Sequence, residues 1–420
     1  MTPEDRFYRI VESGLCIGCG LCQSVAGKGA VRMDKAENGE LRPHVHGTLT
    51  DDAVDAVYRT CPGTRAEGLP ESVAKQAPHS DTVWGPYHAM ALAWAAEPQT
   101  RHEGSAGGVL TALGRYLLSS DRVSFILHVK ASATEPSFGE RTLSFSEAQV
   151  LEGAGSRYGP TAPLVDFEDA LAHGEPFALI AKPCDLNAVR NLAHHDPRVN
   201  ALVRYWLSPV CGGYMPTEAM HRFMGEHGIE RSNVAALRYR GFGCPGPTTF
   251  SMQSGEERSF HYLDFWGEDE SAWSLPFRCK ICPDGIGDGA DIAAADIWPN
   301  ATPDRLGSQT DPGFNSIIVR TAAGIELVDA AVDAGFLAMG EQVGPDFMND
   351  TQPHQKKKKL AAGTRLEAIA QSGRPRLETV GLRLEELAAL NGDKNNRLER
   401  EGTARRLREG QGMEQRPGGG

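Results

Sequence analysis

The sequence predicts an α+β protein, in which a short cysteine-bearing N-terminal module precedes a longer α/β region with a mixed sheet. Three observations carry that prediction. Residues 1–66 are rich in glycine punctuation and hold four of the nine cysteines. Apolar runs suited to buried strands recur at residues 89–96, 177–181, 203–207, 291–298 and 316–320, several of them followed by a turn and a helical stretch. Between these two regions, residues 67–84 are polar and carry prolines, as a linker does.

The front module is organised around residues 15–22, LCIGCGLC. Cys16, Cys19 and Cys22 are separated by two intervening residues each, so each thiolate can reach a different corner of a cubane while Gly18 and Gly20 let the loop turn its amides toward the inorganic sulfides. Cys61, in Cys61-Pro62-Gly63, is placed to be the fourth ligand, because a Cys-Pro ending closes ferredoxin motifs. The expectation is a ferredoxin-like 4Fe-4S module of two small hairpins and short helices. A zinc site also uses four thiolates, but an even run of three is foreign to zinc knuckles. The opening MTPEDRF has no basic-then-apolar signal segment, which points to a reducing cytoplasm and away from disulfides.

At 420 residues the chain has room for two or three domains. It has no run approaching the roughly 18 uninterrupted apolar residues of a membrane span. The net charge of −12 argues against general nucleic-acid binding. From residue 351 onward, 15 Lys+Arg face 9 Asp+Glu, a tail of +6 that leaves −18 for residues 1–350. The lysine run at 356–359 is read as a solvated face, with docking of an acidic electron carrier as its functional reading. The final RPGGG is expected to be disordered.

In the α/β region, strand 89–96 leads through RHEGSAGGV to a helix near residues 110–118. Strand 177–181 leads through Lys182-Pro183-Cys184 to a helix over 185–192, and strand 203–207 through SPVCGG to a helix over 217–224. Turns beyond the carboxyl ends of parallel strands gather ligands, so Cys184 and Cys211 fall on the functional edge. With the pair Cys279 and Cys282 they make a second set of four. From spacing alone that set is either a second cubane or two buried small hydrophobes beside a zinc-binding or idle pair, and Cys244 is the leftover or a substitute ligand. Gly104, Ser105, Ala106, Gly107 and Gly108 form a glycine-rich turn ahead of a helix, which offers amides to an anion but is not a GxGxxG fingerprint. Arg157, Tyr158, Lys182, Arg238 and Arg240 could add charge and stacking around a cofactor. His102 and Asp296 are candidate proton donors that nothing nearby distinguishes.

Assembled, these motifs resemble the coenzyme F-420 hydrogenase and dehydrogenase beta subunit family, which includes 7-hydroxymethyl chlorophyll a reductase and the ferredoxin-dependent divinyl chlorophyllide vinyl reductase. The resemblance spans about residues 15–335 and rests on LCIGCGLC with CPG, GSAGGVLTAL, GSRYGP, KPCDLNAVRNL, CGGY, YRGFGCPG, RCKICPD, ADIAAADIW and FNSIIVRT. It implies FAD and 4Fe-4S clusters, the second held by Cys184, Cys211, Cys279 and Cys282, with the 104–108 turn and Ser156, Arg157 and Tyr158 near the flavin. Ala106 and Asp185 depart from the family's serine and glutamine, and the tryptophan the family has near Cys244 marks that cysteine as a non-ligand.

The expected function is an iron-sulfur flavoprotein oxidoreductase that passes electrons from a low-potential donor such as ferredoxin through two 4Fe-4S clusters to FAD, and on to a conjugated organic substrate. The alternative is an electron-transfer beta subunit that exchanges electrons with coenzyme F-420 inside a larger oxidoreductase. A non-enzymatic zinc protein is the second alternative. The expected divisions are 1–66 for the ferredoxin-like module, 67–84 for the linker, 85–350 for the α/β flavin-binding domain with the second cluster, and 351–420 for a basic, partly helical tail.

Overall fold

The computed structural model describes residues 1–269, 272–300 and 302–417. Its centre is an eight-stranded mixed sheet, with strands labelled here in chain order: β1 Ala89–Ala95, β2 Phe125–Ala131, β3 Gly139–Ser144, β4 Phe177–Ile180, β5 Val203–Pro209, β6 Ile292–Asp296, β7 Asn315–Val319 and β8 Leu337–Gln342. Their spatial order is β8-β1-β7-β6-β5-β4-β2-β3. The four inner strands β2, β4, β5 and β6 run parallel, in the registers Leu127↔Leu179, Trp206↔Leu179 and Leu207↔Ile292. Antiparallel β3 closes one edge, and β7, β1 and β8 extend the other.

The inner strands alternate between two buried faces, which is why they read as continuous apolar runs. Ile126, Ala178 and Leu207 enter one core with the helices Val109–Ser119 and Ala322–Asp333. Phe125, Leu127, Phe177, Leu179 and Trp206 enter the other with the helix Pro183–Ala193. That helix starts cleanly because Pro183 sits at its first position, where a missing N–H costs nothing, and Asp185 lies in its positive first turn. A three-stranded antiparallel sheet, Val234–Arg238, Thr248–Met252 and Glu257–Phe260, stands apart from the main sheet.

The front module holds three helices, Pro3–Glu12, Leu21–Ala26 and Asp51–Thr60, and one hairpin, Val31–Lys35 with Leu41–Val45. The second expected hairpin is replaced by the strand Arg65–Glu67, which pairs in parallel with Glu378–Val380 of the C-terminal region. Residues 67–84 carry a short helix, Glu71–Ala74, and begin a hairpin that buries Trp84 completely.

Two expectations about the C-terminal region are corrected. The lysine run lies in the helix Pro353–Gln371, and Lys358 and Lys359 point inward instead of forming a solvated face. Lys359 meets Asp288 at 2.6 Å and Pro283 O at 3.1 Å, and Arg383 binds the other oxygen of Asp288 at 2.7 Å. Leu366, Ile369, Leu377 and Leu382 share one core with Phe7, Ile10, Val11, Val54 and Phe277, so the region packs as part of the body. Arg416, in the segment expected to be disordered, pairs with Asp5 and Glu12; residues 418–420 lie outside the described residues. Among the described residues no helix is long and apolar enough to cross a membrane.

Candidate functional site

The carboxyl ends of the parallel strands open onto a cleft of about 350 Å³. Ile180, Ala181 and Lys182 border it at and past the end of β4, Pro209 to Gly213 at and past the end of β5, and Ala294, Asp296 and Trp298 at and past β6. Ser105 and Gly108 from the glycine-rich turn line it, whereas Gly104, Ala106 and Gly107 do not. Gly107 is pressed against the sheet, where an added Cβ would sit 2.8 Å from Asn315 N and 2.9 Å from Ala93 O. The Asn315 carboxamide oxygen accepts from the amides of Gly107 at 3.1 Å and Val109 at 3.4 Å. The amides of Gly104 and Gly108 in the turn are occupied too, by Thr100 O and Ser105 O. Leu110 and Thr111, in the first turn of the helix, border the cleft, and their amides have no protein acceptor among the described residues.

Ser156, Arg157 and Tyr158 form the facing wall. The Ser156 amide donates to the Ser105 hydroxyl at 2.8 Å, which ties the two motifs together. Arg157 donates one Nη to Leu237 O at 2.9 Å, while its buried Nε has no partner. Burial, and then repulsion from Arg238, pull its guanidinium down to about 10. Arg240 pairs with Asp296, stacks on Tyr262 and Trp298 with centroids at 5.2 and 5.3 Å, and leaves one buried Nη unpartnered. His128 borders the cleft as a neutral ring, because burial lowers its pKa to about 4. Arg238 stacks on Phe242 at 4.0 Å and His102 packs against Phe242; neither residue lines the cleft. Asp296 does line it.

Cys184, Cys211, Cys279 and Cys282 line one smaller cavity behind the cleft, together with Ile17, Lys182, Gly213, Tyr214, Arg278 and Lys358. Thiolates separated by nearly 100 positions in the chain meet because Cys184 is the second residue of the helix after β4, Cys211 lies two residues past β5, and the short helix Phe277–Lys280 carries Cys279. Lys358 holds this lining by donating to Gly212 O at 3.2 Å. Burial raises the thiols of Cys184 and Cys211 and pushes Cys279 to about 12. Cys244 lies outside this cavity, buried beside Gly313.

The front four cysteines also face one another. Burial raises Cys16, Cys19 and Cys22 and takes Cys61 to about 12; after burial, repulsion between neighbouring thiolates is the main contribution at Cys19, Cys22 and Cys61. Ligation of such thiols must displace their protons. Among the described residues, no three His, Cys, Asp or Glu side chains are arranged to hold a single metal ion.

The two sets of cysteines are bolted together. Arg278, buried next to Cys279, donates to Pro62 O at 2.7 and 3.3 Å, just past Cys61. Glu40 of the front hairpin accepts from the Tyr214 hydroxyl at 2.7 Å and the Thr217 amide at 2.8 Å, close to Cys211. Lys182 sits where everything converges, bordering both the cleft and the cysteine cavity, with Asp185 at 2.9 Å and Thr161 at 3.2 Å. Burial alone would lower its ammonium pKa, but Asp185 and Cys184 outweigh burial and hold it above its ordinary value.

Comparison with known proteins adds the lineage. Profiles described as coenzyme F420 hydrogenase/dehydrogenase beta subunit, N-term and C terminus, match residues 90–167 and 174–343. The chain belongs to this family. It is similar to a coenzyme F420-dependent sulfite reductase of Methanocaldococcus jannaschii, 23% identical over 347 residues, covering 78% of this chain and 47% of that protein. It also resembles the F420-dependent formate dehydrogenase 1 subunit beta of Methanococcus maripaludis, 26% identical over 276 residues, covering 62% of this chain and 68% of the relative. The chain thus spans about half the length of the sulfite reductase. A chain of the F420-reducing [NiFe] hydrogenase complex from Methanosarcina barkeri has the same fold, with a TM-score of 0.55 at 17% identity over 71% of this chain and 98% of that one.

The sequence reading missed Lys358, Asn315, Arg278 and Glu40 as supports of the site. Arg278, adjacent to Cys279, was the one with a visible signal. The others lie far from the motifs they brace.

Proposed function

We propose that this chain is an F420-linked oxidoreductase component, in which two 4Fe-4S clusters and FAD form one path to the deazaflavin coenzyme F420. The main support is the wall between cleft and cysteine cavity, because Lys182, Cys211 and Gly213 border both. Family membership and the F420-dependent relatives favour this reading, so the conjugated organic acceptor expected from the sequence gives way to the F420-linked alternative. The relatives are F420-dependent enzymes or components of them, which supports a partner oxidoreductase subunit for this chain too; ferredoxin is retained as the proposed low-potential donor.

The residues present fit these groups. Two cysteine-only sets of four, the first spaced as in a ferredoxin loop and the second gathered around one cavity, suit polynuclear clusters. The unpartnered guanidinium nitrogens of Arg157 and Arg240, with the free amides of Leu110 and Thr111, suit the phosphates of a dinucleotide. When bound, FAD supplies hydride exchange on one side and one-electron exchange on the other. Cys16, Cys19, Cys22 and Cys61 would hold the outer cluster, and Cys184, Cys211, Cys279 and Cys282 the inner one. Lys182 keeps a positive charge between the inner thiolates and the cleft. Val129, Val150 and Ile180 exclude water from the cleft's apolar side. In this scheme residues 1–66 hold the outer relay, 85–350 the inner relay and flavin, and 351–420 brace both.

The test is anaerobic. The dithionite-reduced chain, alone or with any co-purifying subunit, is expected to bleach oxidised coenzyme F420. A flavin-loaded preparation that reduces a tetrapyrrole and leaves F420 untouched would overturn the proposal.

A further inference from the structure

The front module and the C-terminal helices enclose a second groove, of about 640 Å³, between the helix Pro3–Glu12 and the ends of Pro353–Gln371 and Asp393–Arg408. Three guanidinium groups border it and, among the described residues, none has a carboxylate partner: Arg9 donates to Gly373 O, Arg374 donates to Ser13 O, and Arg408 is exposed. The one carboxylate in the lining, Glu12, is already bound to Arg416 at 3.0 Å. Ser13 lies three residues before Cys16, and Arg374 stacks on Phe277, two residues before Cys279, with its guanidinium 5.4 Å from the ring centroid. The groove therefore sits on the seam between the segments that carry the two sets of cysteines.

We infer that this groove is the docking surface for an acidic iron-sulfur carrier protein that exchanges electrons with the front module. The inference rests on the proposed electron-transfer function and adds the place and charge of the partner. Residues 1–350 carry −18, so an acidic carrier is repelled by most of the body and attracted only where the +6 C-terminal region faces outward. Two of the groove's three guanidinium groups, Arg374 and Arg408, lie beyond residue 343, where the family match ends. The lysine run cannot serve this role, since half of it is buried.

The experiment is stopped-flow reduction of the anaerobically purified full chain by a small acidic two-cluster ferredoxin, compared with reduction by reduced coenzyme F420 through the cleft. The second-order rate with ferredoxin should fall at least about tenfold between low and high salt. It should fall by a similar factor in Arg408→Glu, and further in Arg374→Glu/Arg408→Glu, with iron, flavin and the rate from reduced F420 unchanged. Arg408→Glu guards against a folding defect, because that side chain is exposed. Loaded variants that accept electrons from ferredoxin at the wild-type rate would overturn the docking surface alone. So would a variant that only loses a co-purifying subunit, since the groove would then seat that subunit. A wild-type chain without flavin and iron would instead sink the functional proposal.

Discussion

Replacing Lys359 by methionine tests how the C-terminal helix is held. Lys359 and Asp288 are both about 1% exposed and 2.6 Å apart, and Arg383 takes the second carboxylate oxygen at 2.7 Å. At an effective dielectric of about 20, charges 2.6 Å apart interact by roughly 6 kcal/mol before desolvation. Arg383 stays behind in Lys359→Met and still compensates the carboxylate, so the net loss should be about 3 kcal/mol. Asp288→Asn is the harsher change. It leaves Lys359, Arg383 and the nearby Arg320 without the Asp288 carboxylate, with only Asp284 near Lys359 and Arg320, at a cost nearer 5 kcal/mol. For 420 residues the unfolding entropy converts these costs into Tm drops of about 3 °C and 6 °C. The three cations hold the Asp288 carboxyl below its ordinary 3.8 despite burial, so its contribution is complete above about pH 4 and is lost as the pH falls through its folded value. Calorimetry at pH 7 and then in acid should show the Asp288→Asn deficit shrinking. Equal Tm values for wild type and both variants, or a smaller drop for Asp288→Asn than for Lys359→Met, would refute the reasoning.

Arg157→Met removes a buried guanidinium from the cleft wall and should weaken FAD retention by at least about tenfold, or about 1.5–3 kcal/mol, read as flavin fluorescence released on ultrafiltration. Unchanged retention would remove Arg157 from the cofactor site. His128 is buried with a pKa of about 4, so the unfolded chain takes up its proton first and wild-type stability should decline by up to about 3 kcal/mol as the pH drops from 6.5 to 4. His128→Gln should flatten that part of the stability profile, and a profile identical to wild type would contradict the assigned burial.

Most of the site was legible because its chemistry is concentrated in short motifs. LCIGCGLC, KPCD and RCKIC each place a thiol where local geometry leaves little choice, and FALI and VRYWL read as strands because both faces are buried. β2, β3 and β8 were missed. FILHVKA breaks its apolar run at His128 and Lys130, and β3 and β8 are edge strands whose outward residues are polar. The inward lysines were hidden for a different reason. KKKK looks solvated in any local window, and only Asp288, some 70 positions away, turns Lys359 into a buried partner. The glycine-rich turn was visible in the sequence, but its tie to Asn315, over 200 positions away, which accepts from the Gly107 amide, was not.

In the proposed scheme, two separate sets of thiolates each hold a cluster beside one flavin. Iron, sulfide and FAD should therefore be counted per chain after anaerobic purification of wild type and Cys184→Ser. The account predicts about eight irons and one FAD in wild type, falling to about four irons in the variant with the outer cluster's signal intact. Four irons in wild type, or loss of all iron from the variant, would contradict it.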